Sequence, residues 1–410
     1  MKRGSAIKYT RTLKGLKQKE LISKVHSKSL ISRIENNDSE VFDGHYNYFI
    51  EKLEVDFPKL LEEEANLEKS LENLLILIHY LQIDEAEKQL NELFNHEEFI
   101  RFSDHYLKYK IIRFYYFVQV NNLASAENLW SEIQNQKEHL LTKDLIFAEF
   151  FYSVFLIFKR DYKQADDKLT KIIINENQHY INQGDLYFYV GRAKAGLCDF
   201  KNAAFFAFKA AEYYNARFNY KRCILTAELL IYCHIYTEMY DEASKILEHL
   251  FRHKEILELL PNELPIIYHL RGTYFKKTGQ IEQALNHYRM SLEFSQPVNI
   301  RYLRMQYNYS NLLYKSKNKK CKEQLSKLYF LSETQKNSQY QVLAKFLLLM
   351  LEDEKKAINY IEKKMIYLES LSVNREAKLD VYSTLFRFYR NLNISEKAIF
   401  YLEKWKERKK

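Results

Sequence analysis

Glycine and proline are scarce in this chain. Only 8 glycines and 4 prolines occur among its 410 residues, far below the roughly 7% and 5% of ordinary proteins. Turn-rich β architectures need these residues for tight connections, so the composition excludes them and predicts an almost wholly helical chain. Tyrosine and phenylalanine are abundant, with 33 and 27 copies, and they provide bulky side chains for packing between helices.

Cysteine and long apolar runs are also scarce. The four cysteines are dispersed without a CxxC pair, so they are expected to be reduced, mostly buried thiols rather than disulfides or metal ligands. The longest apolar run, residues 145–158, contains Glu149 and is shorter than the roughly 20 residues of a transmembrane helix. Without a signal-peptide pattern either, the sequence predicts a cytoplasmic protein that does not bind membranes.

Catalytic motifs are absent as well. The sequence contains no HExxH, no GxSxG and no glycine-rich phosphate loop, and its 12 histidines are dispersed. It therefore predicts a protein that is not an enzyme and that uses neither a metal ion nor another cofactor.

Positive charge is concentrated at the N-terminus. The formal net charge is +9, and residues 1–40 carry ten lysine or arginine side chains against four acidic ones. Such a local excess is typical of a nucleic-acid-binding module. A solvated basic surface without a partner is the alternative.

An internal repeat occupies the chain from residue 83 onward. Segments such as IDEAEKQL and YDEASKIL recur every 36 to 41 residues, each with a small residue in its middle. Where the two helices of a hairpin cross about 8 Å apart, only a small side chain leaves room for the facing backbone. The nine small residues are Ala86, Ala126, Ala165, Ala203, Ala243, Ala284, Cys321, Ala357 and Ala398.

The segment YHLRGTYFKKTGQIEQALNHYRMSLE, residues 268–293, resembles the tetratricopeptide repeat, a helix-turn-helix unit with small residues at fixed offsets. This resemblance implies a right-handed superhelical solenoid of about nine repeats with a concave groove. We expect residues 57–70 to form a linker helix and residues 71–410 to form a repeat domain for peptide binding and dimerisation. Dimerisation through the terminal repeats is expected, because they expose an unpaired apolar face.

The segment LKQKELISKVHSKSLISRIEN, residues 16–36, resembles the helix-turn-helix of lambda-repressor-like regulators. The resemblance implies a DNA-binding domain over residues 1–56, with a first helix from about Gln18 to Lys24 and a recognition helix from about Lys28 to Asn36. Ser27 is placed to cap the second of these helices.

In such a domain the start of the recognition helix reads base edges in the major groove, and the preceding helix holds a phosphate. An alternative role for Arg33 is an ion pair with Glu35 or Glu20. The predicted DNA-binding residues are Lys17, Gln18, Ser27, Lys28, Ser29, Ser32 and Arg33.

The combination of such a head with a long repeat array resembles the RRNPP family of peptide-pheromone regulators of Gram-positive bacteria, most closely its NprR-like and PlcR-like members. The resemblance implies a quorum-sensing transcription regulator, a homodimer that binds a double-stranded DNA operator and a short signalling peptide. Two alternatives remain open. The repeats could bind a protein partner, as in a mobile-element repressor, or act as a Rap-like phosphatase on a response regulator.

Polar residues are predicted on the concave face of the first helix of each repeat, where their side chains could pair with a peptide backbone. Family members hold the peptide main chain with groove asparagines, which Asn308 and Asn311 match, and Arg192 or Lys276 could receive a carboxylate. A plain solvated inner face is the alternative. The predicted peptide-binding residues are Arg192, Glu228, Tyr232, His269, Thr273, Lys276, Gln306, Asn308, Asn311 and Arg387.

Overall fold

The computed structural model of the chain describes residues 1–410 except 176, 254, 256, 258–259, 298–299, 366, 368–374 and 410. Its described residues form α-helices and short 3-10 turns and contain no β-strand, which confirms the all-α prediction. They are divided into two compact units, Met1–Thr226 and Ala227–Lys410. Over the described ranges, every helix is too short or too polar to cross a lipid bilayer.

The first unit begins with a head of three helices and one 3-10 turn. These elements are α1 (Arg3–Leu13), the turn Gln18–Leu21, α2 (Lys28–Glu35) and α3 (Asp43–Lys52). Their inward faces form a small apolar core that contains Ala6, Ile7, Leu21, Ile31, Ile34 and Phe49.

Paired helices follow the head in the first unit. The pairs are α4 (Phe57–His79) with α5 (Ile83–Asn95), α7 (Tyr106–Gln119) with α8 (Leu123–Gln134), α9 (Thr142–Phe158) with α10 (Tyr162–Ile174), and α11 (Gln183–Gly196) with α12 (Phe200–Asn215). The short helix α6 (Glu97–Phe102) connects the first two pairs. The head packs on this part of the repeats, because the Tyr9 ring lies 5.5 Å from the Phe99 ring and 5.8 Å from the Phe102 ring.

Five further pairs complete the chain. They are α13 (Tyr220–Tyr236) with α14 (Tyr240–Arg252), α15 (Leu264–Lys277) with α16 (Ile281–Glu293), α17 (Ile300–Lys315) with α18 (Cys321–Thr334), α19 (Ser338–Glu352) with α20 (Glu354–Lys363), and α21 (Arg375–Asn391) with α22 (Ser395–Lys409). The boundary between the two units falls inside α13. Counted over the described residues, the pairs number nine, as the repeat pattern predicted.

The small residues of the repeat lie where the two helices of each pair approach one another. All nine are on the second helix of their pair and all nine are buried. The opposite helix shows the same constraint at Gly272, where an added Cβ atom would lie 2.6 Å from the ring of Tyr288. Both observations agree with the predicted close crossing of the helices.

Most pairs turn through a residue in the left-handed backbone region, five positions before the small residue. Glycine is favoured there, and any other residue costs roughly 1–2 kcal/mol. Since only one of these positions is glycine, the packing of the two helices must hold the other turns in place. The residues are Leu81, Asn121, Arg160, Cys198, Glu238, Gly279 and Asn393.

The four cysteines are free thiols. Cys233 and Cys321 are buried, whereas Cys198 and Cys223 are half-buried. Burial raises the pKa of the Cys233 thiol to about 12, so this group stays protonated and unreactive at neutral pH.

A buried polar network lies inside the first unit. The carboxylate of Asp185 accepts a hydrogen bond from the Tyr214 hydroxyl (2.5 Å) and contacts His79 Nδ1 at 2.8 Å and Arg222 Nε at 3.5 Å. Arg222 Nε also donates to the His79 carbonyl oxygen at 3.0 Å. Burial raises the pKa of Asp185, but the Arg222 guanidinium and His79 outweigh this effect and lower it. The network ties the end of α4 to α11 and to the start of α13.

We expect Asp185→Asn to destabilise the first unit by about 3–5 kcal/mol, because it leaves the buried Arg222 guanidinium without its counter-charge. The measurement is urea unfolding of the full chain. The control is Glu293→Gln, which removes an exposed partner of Arg289 and should cost less than about 0.5 kcal/mol. Equal effects of the two substitutions would contradict this account of the network.

Candidate functional site

The helix α2 begins and orients as predicted for a recognition helix. Ser27 Oγ accepts a hydrogen bond from the Leu30 N–H at 3.2 Å, which confirms the N-cap. Ile31 and Ile34 are buried, while Lys28 and Ser29 are exposed. The start of α2 therefore presents small polar and basic side chains to solvent.

The helix that was expected from Gln18 to Lys24 is not formed; a 3-10 turn ends at Leu21 instead. Ser23 explains the difference. Its Oγ accepts hydrogen bonds from the N–H groups of Val25 (3.4 Å) and His26 (3.2 Å). Such local side-chain bonds compete with the helical hydrogen-bond pattern, so the chain leaves the helix early.

Arg33 forms ion pairs other than those considered from the sequence. Its Nε lies 2.7 Å from Asp38 Oδ2 and its Nη2 lies 3.0 Å from Glu40 Oε2. The pairs with Glu35 and Glu20 were wrong. Because both actual partners follow α2 in the chain, Arg33 fixes the loop at the end of the helix.

Glu35 is instead a scaffold residue of the head. It is buried and accepts hydrogen bonds from Arg11 Nε at 2.5 Å and from Gln18 Nε2 at 2.8 Å. Gln18 is therefore held in place by α2. Lys17 lies at the start of the 3-10 turn, where its N–H donates to Glu20 Oε2 at 2.5 Å.

An open cleft of about 460 Å³ runs along the exposed face of α2. Five of the seven predicted DNA-binding residues line it, and the other two, Lys17 and Ser27, do not. The cleft combines the Lys28 ammonium group, hydroxyl groups and amides, which suit phosphates and base edges, with the ion pair of Arg33 and Asp38. Its lining residues are Gln18, Lys28, Ser29, Ser32, Arg33, Asn36 and Asp38.

A second polar site lies in the second unit, where side chains of α15, α17 and α21 meet. Asn308 Nδ2 lies 3.0 Å from His269 Nε2, and Asn311 Nδ2 donates to Asp380 Oδ2 at 2.9 Å. Four of the ten predicted peptide-binding residues come together here. We call this site the inner cluster and define it as His269, Lys276, Arg304, Asn308, Asn311, Glu376 and Asp380.

Lys276 was predicted to receive a ligand carboxylate, but it already holds one from the chain itself. Its Nζ lies 2.6 Å from Glu376 Oε2, and Lys277 Nζ lies 2.8 Å from Glu376 Oε1. Burial raises the pKa of Glu376, but the two ammonium groups outweigh burial and hold the pKa well below its usual range. Glu376 is therefore a fixed negative charge in the inner cluster.

Arg304 was missed by the sequence analysis. It is exposed to solvent, yet its guanidinium hydrogen-bonds to Tyr232 and has Tyr236 and Tyr340 nearby. Among the described residues, no carboxylate lies within ion-pair distance of it. Its position four residues before Asn308, on the same face of α17, was a signal that could have found it.

Three predicted peptide-binding residues have other roles. Thr273 Oγ1 bonds to the His269 carbonyl oxygen of its own helix and to the Tyr288 hydroxyl. Gln306 is fully buried and donates to Gln324 Oε1 on α18 at 3.1 Å, because a position two residues before Asn308 faces the paired helix. Arg387 is exposed, and its Nε donates to a carbonyl oxygen of its own helix.

The remaining three predicted residues lie on other helices, Glu228 and Tyr232 on α13 and Arg192 on α11. Glu228 is half-buried on α13. Arg192 belongs to the first unit, where its guanidinium lies 5.4 Å from the centre of the Phe158 ring. Among the described residues, no group of three or more side chains could hold a metal ion.

We expect the stability of the second unit to fall below pH 6.5 because of His269. Burial lowers the pKa of this histidine to about 3, and Arg304 and Lys276 act in the same direction. The unfolded chain therefore takes up the proton first as the pH drops. Between pH 7 and pH 5 this difference costs on the order of 2 kcal/mol.

The measurement is chemical unfolding at both pH values. His269→Gln should reduce the loss between pH 7 and pH 5, whereas His249→Gln, at an exposed position of α14, should leave it unchanged. The same loss in wild type and in His269→Gln would contradict the assignment.

Solved structures share the fold of this chain. The apo form of the quorum sensor NprR from B. thuringiensis is 18% identical over 85% of this chain and 99% of its own, with a TM-score of 0.66. NprR in complex with its cognate peptide NprX is 17% identical, covers 83% and 99% of the two chains and has a TM-score of 0.68. A Rap protein in complex with competence and sporulation factor is 15% identical, covers 84% and 98%, and has a TM-score of 0.71.

No protein-family model and no curated protein matches the sequence itself. The structural matches agree with the resemblance to RRNPP regulators that the sequence motifs indicated. The chain therefore has the helical-repeat fold of the quorum sensor NprR and of Rap proteins.

Proposed function

We propose that this chain is a DNA-binding transcription regulator whose repeats bind a short signalling peptide, and that the peptide changes its occupancy of DNA. The observation that carries the proposal is the inner cluster, in which the exposed cation Arg304 shares a face of α17 with Asn308 and Asn311, and Asn311 bonds to Asp380. Similar structures include NprR with its cognate peptide, which supports a peptide as the ligand.

The chemistry of the inner cluster suits a peptide. A guanidinium binds a carboxylate through two parallel hydrogen bonds, so Arg304 fits a peptide C-terminus or an acidic side chain. Amide side chains both donate and accept, as a peptide backbone requires, and Asn308 and Asn311 supply them. Asp380 provides a site for a basic group of the peptide, in competition with Lys315, which now lies 2.7 Å from it.

The head supplies the proposed DNA contact. Lys28 and Ser29 are exposed at the start of α2, where a recognition helix contacts base edges. The head would be the DNA-binding domain of residues 1–56, followed by a linker over residues 57–70 and a repeat domain over residues 71–410. As a homodimer in the cytoplasm, the protein would place two heads on half-sites about 34 Å apart or a multiple of it.

Coupling between the two sites follows from linkage. A peptide shifts the equilibrium between DNA-competent and DNA-incompetent forms only by its difference in affinity for them. The proposed function needs no catalytic step. Specific DNA binding that responds to peptide separates it from the alternatives of a protein-binding repressor and a phosphatase.

We expect Lys28→Ala to weaken binding to promoter DNA next to the gene of this protein. A lost base contact costs about 1–3 kcal/mol, and a lost phosphate contact lowers the slope of affinity against salt by about one. A salt series of gel shifts measures both. Lys59→Ala, at an exposed position of α4, is the control. Absence of specific DNA binding by the wild type would contradict the proposal and favour the alternative in which the repeats bind a protein partner.

We expect Arg304→Gln to weaken peptide binding by roughly tenfold to a hundredfold, since a hydrogen bond to a charged group is worth about 1.5–3 kcal/mol. Calorimetric titration with synthetic peptides, tiled over any small reading frame beside the gene, is the measurement. Arg252→Gln, which changes an exposed arginine of the same unit, should bind as the wild type does. Equal peptide affinities of the two variants would show that Arg304 does not contact the peptide.

A further inference from the structure

One face of α12 exposes aromatic side chains to solvent. The opposite face is buried through Ala203, Ala207 and Ala210. On the exposed face, Phe205 and Phe208 leave 52% and 57% of their surface in solvent. Single exposed apolar residues are common, but adjacent large ones mark interaction surfaces.

Two charged residues extend this face along the helix. Lys201 and Glu212 are exposed, and they lie four residues before Phe205 and four after Phe208. Residues at these intervals share one side of a helix, and eleven residues span about 16 Å. We call Lys201, Phe205, Phe208 and Glu212 the aromatic stripe.

The charges of the aromatic stripe have no partner within the unit. Across the described residues, neither Lys201 nor Glu212 forms an ion pair. Lys209, which is only half-buried, lies 4.6 Å from the centre of the Phe205 ring and 5.3 Å from that of Tyr187. The Phe205 ring also meets the Phe206 ring edge-on at 5.3 Å. These contacts hold Phe205 outward on the helix surface.

The aromatic stripe is complementary to itself. Its order is cation, ring, ring, anion, and its midpoint falls between Phe206 and Ala207. If a second copy of α12 packs antiparallel about a two-fold axis at this midpoint, Lys201 faces Glu212 of the second copy, and Phe205 faces its Phe208. Each contact then occurs twice, as a two-fold interface requires.

We propose that the aromatic stripe of α12 is a homodimer contact. A second copy fits better than an unrelated partner, because one rotation satisfies both charges and covers both rings at once. Leu197, with 44% exposure, precedes α12 in the chain, and Phe218, with 72%, follows it. The contact remains small beside stable interfaces of roughly 1,200–2,000 Å², so the dimer should dissociate on dilution.

This contact rests on the homodimer of the proposed function, but it is tested separately from DNA and peptide binding, because oligomeric state is measured without either ligand. The experiment is sedimentation velocity of the full chain over a concentration series. Lys201→Glu and Glu212→Lys should each raise the dissociation constant of the dimer by at least roughly tenfold, because each places like charges opposite one another.

The double variant Lys201→Glu/Glu212→Lys decides the test. It restores complementary charges across the two-fold axis, so it should dimerise about as well as the wild type. Because a double variant with damaged folding would not regain dimerisation, the rescue distinguishes a contact from a loss of structure. Weak dimerisation of both single variants without rescue in the double variant would overturn the proposal.

Matched aromatic substitutions locate the surface. Phe208→Ala should weaken the dimer, whereas Phe330→Ala, which removes a ring with 62% exposure on α18, should leave it unchanged. Phe400→Ala tests the terminal repeat, where the ring is 50% exposed on α22. A wild-type chain that is monomeric throughout, or a dimer weakened only by Phe400→Ala, would overturn the assignment to α12.

Discussion

The close crossing of two helices at a small side chain is the constraint on which the rest of this structure depends. It fixes which face of each second helix is buried. It thereby also fixes which face of each first helix is left to contact the first helices of neighbouring repeats. Where the crossing repeats every 36 to 41 residues, successive first helices come to lie side by side. The bond between His269 and Asn308, which are 39 residues apart, is a contact of this kind. The inner cluster is therefore a product of helix packing rather than of a separate binding motif.

Two polar sites in the repeats differ in what they leave accessible. In the first unit, Asp185 is surrounded by Arg222, His79 and Tyr214, and all of its charge is compensated inside the protein. In the second unit, Glu376 is compensated in the same way by Lys276 and Lys277, but Arg304 remains exposed. A buried network of paired charges fixes structure, whereas an accessible cation in the same cluster can accept a ligand. Exposure, more than charge, distinguishes scaffold from binding site here.

Local chemistry made much of the fold predictable. The nine small residues, the helical pairs and the Ser27 cap follow from side-chain size and hydrogen bonding over a few residues. Errors came from helical phase, since Gln306 lies two positions from Asn308 and faces the paired helix. The partner of Lys276 is 100 residues away, and no local pattern specifies such a pair. Ser23 did carry a signal, because serine ends helices through its own hydroxyl group.

The left-handed turns of the hairpins also act on the unfolded chain. A residue with a Cβ atom is strained in this conformation, but it has fewer conformations than glycine to lose on folding, a difference of roughly 0.5–1 kcal/mol. At positions such as Arg160 and Glu238, with φ of 65° and 61°, part of the strain is thus offset by the lower entropy of the unfolded state. A repeat array poor in glycine is therefore stabilised partly because its unfolded chain has fewer accessible conformations.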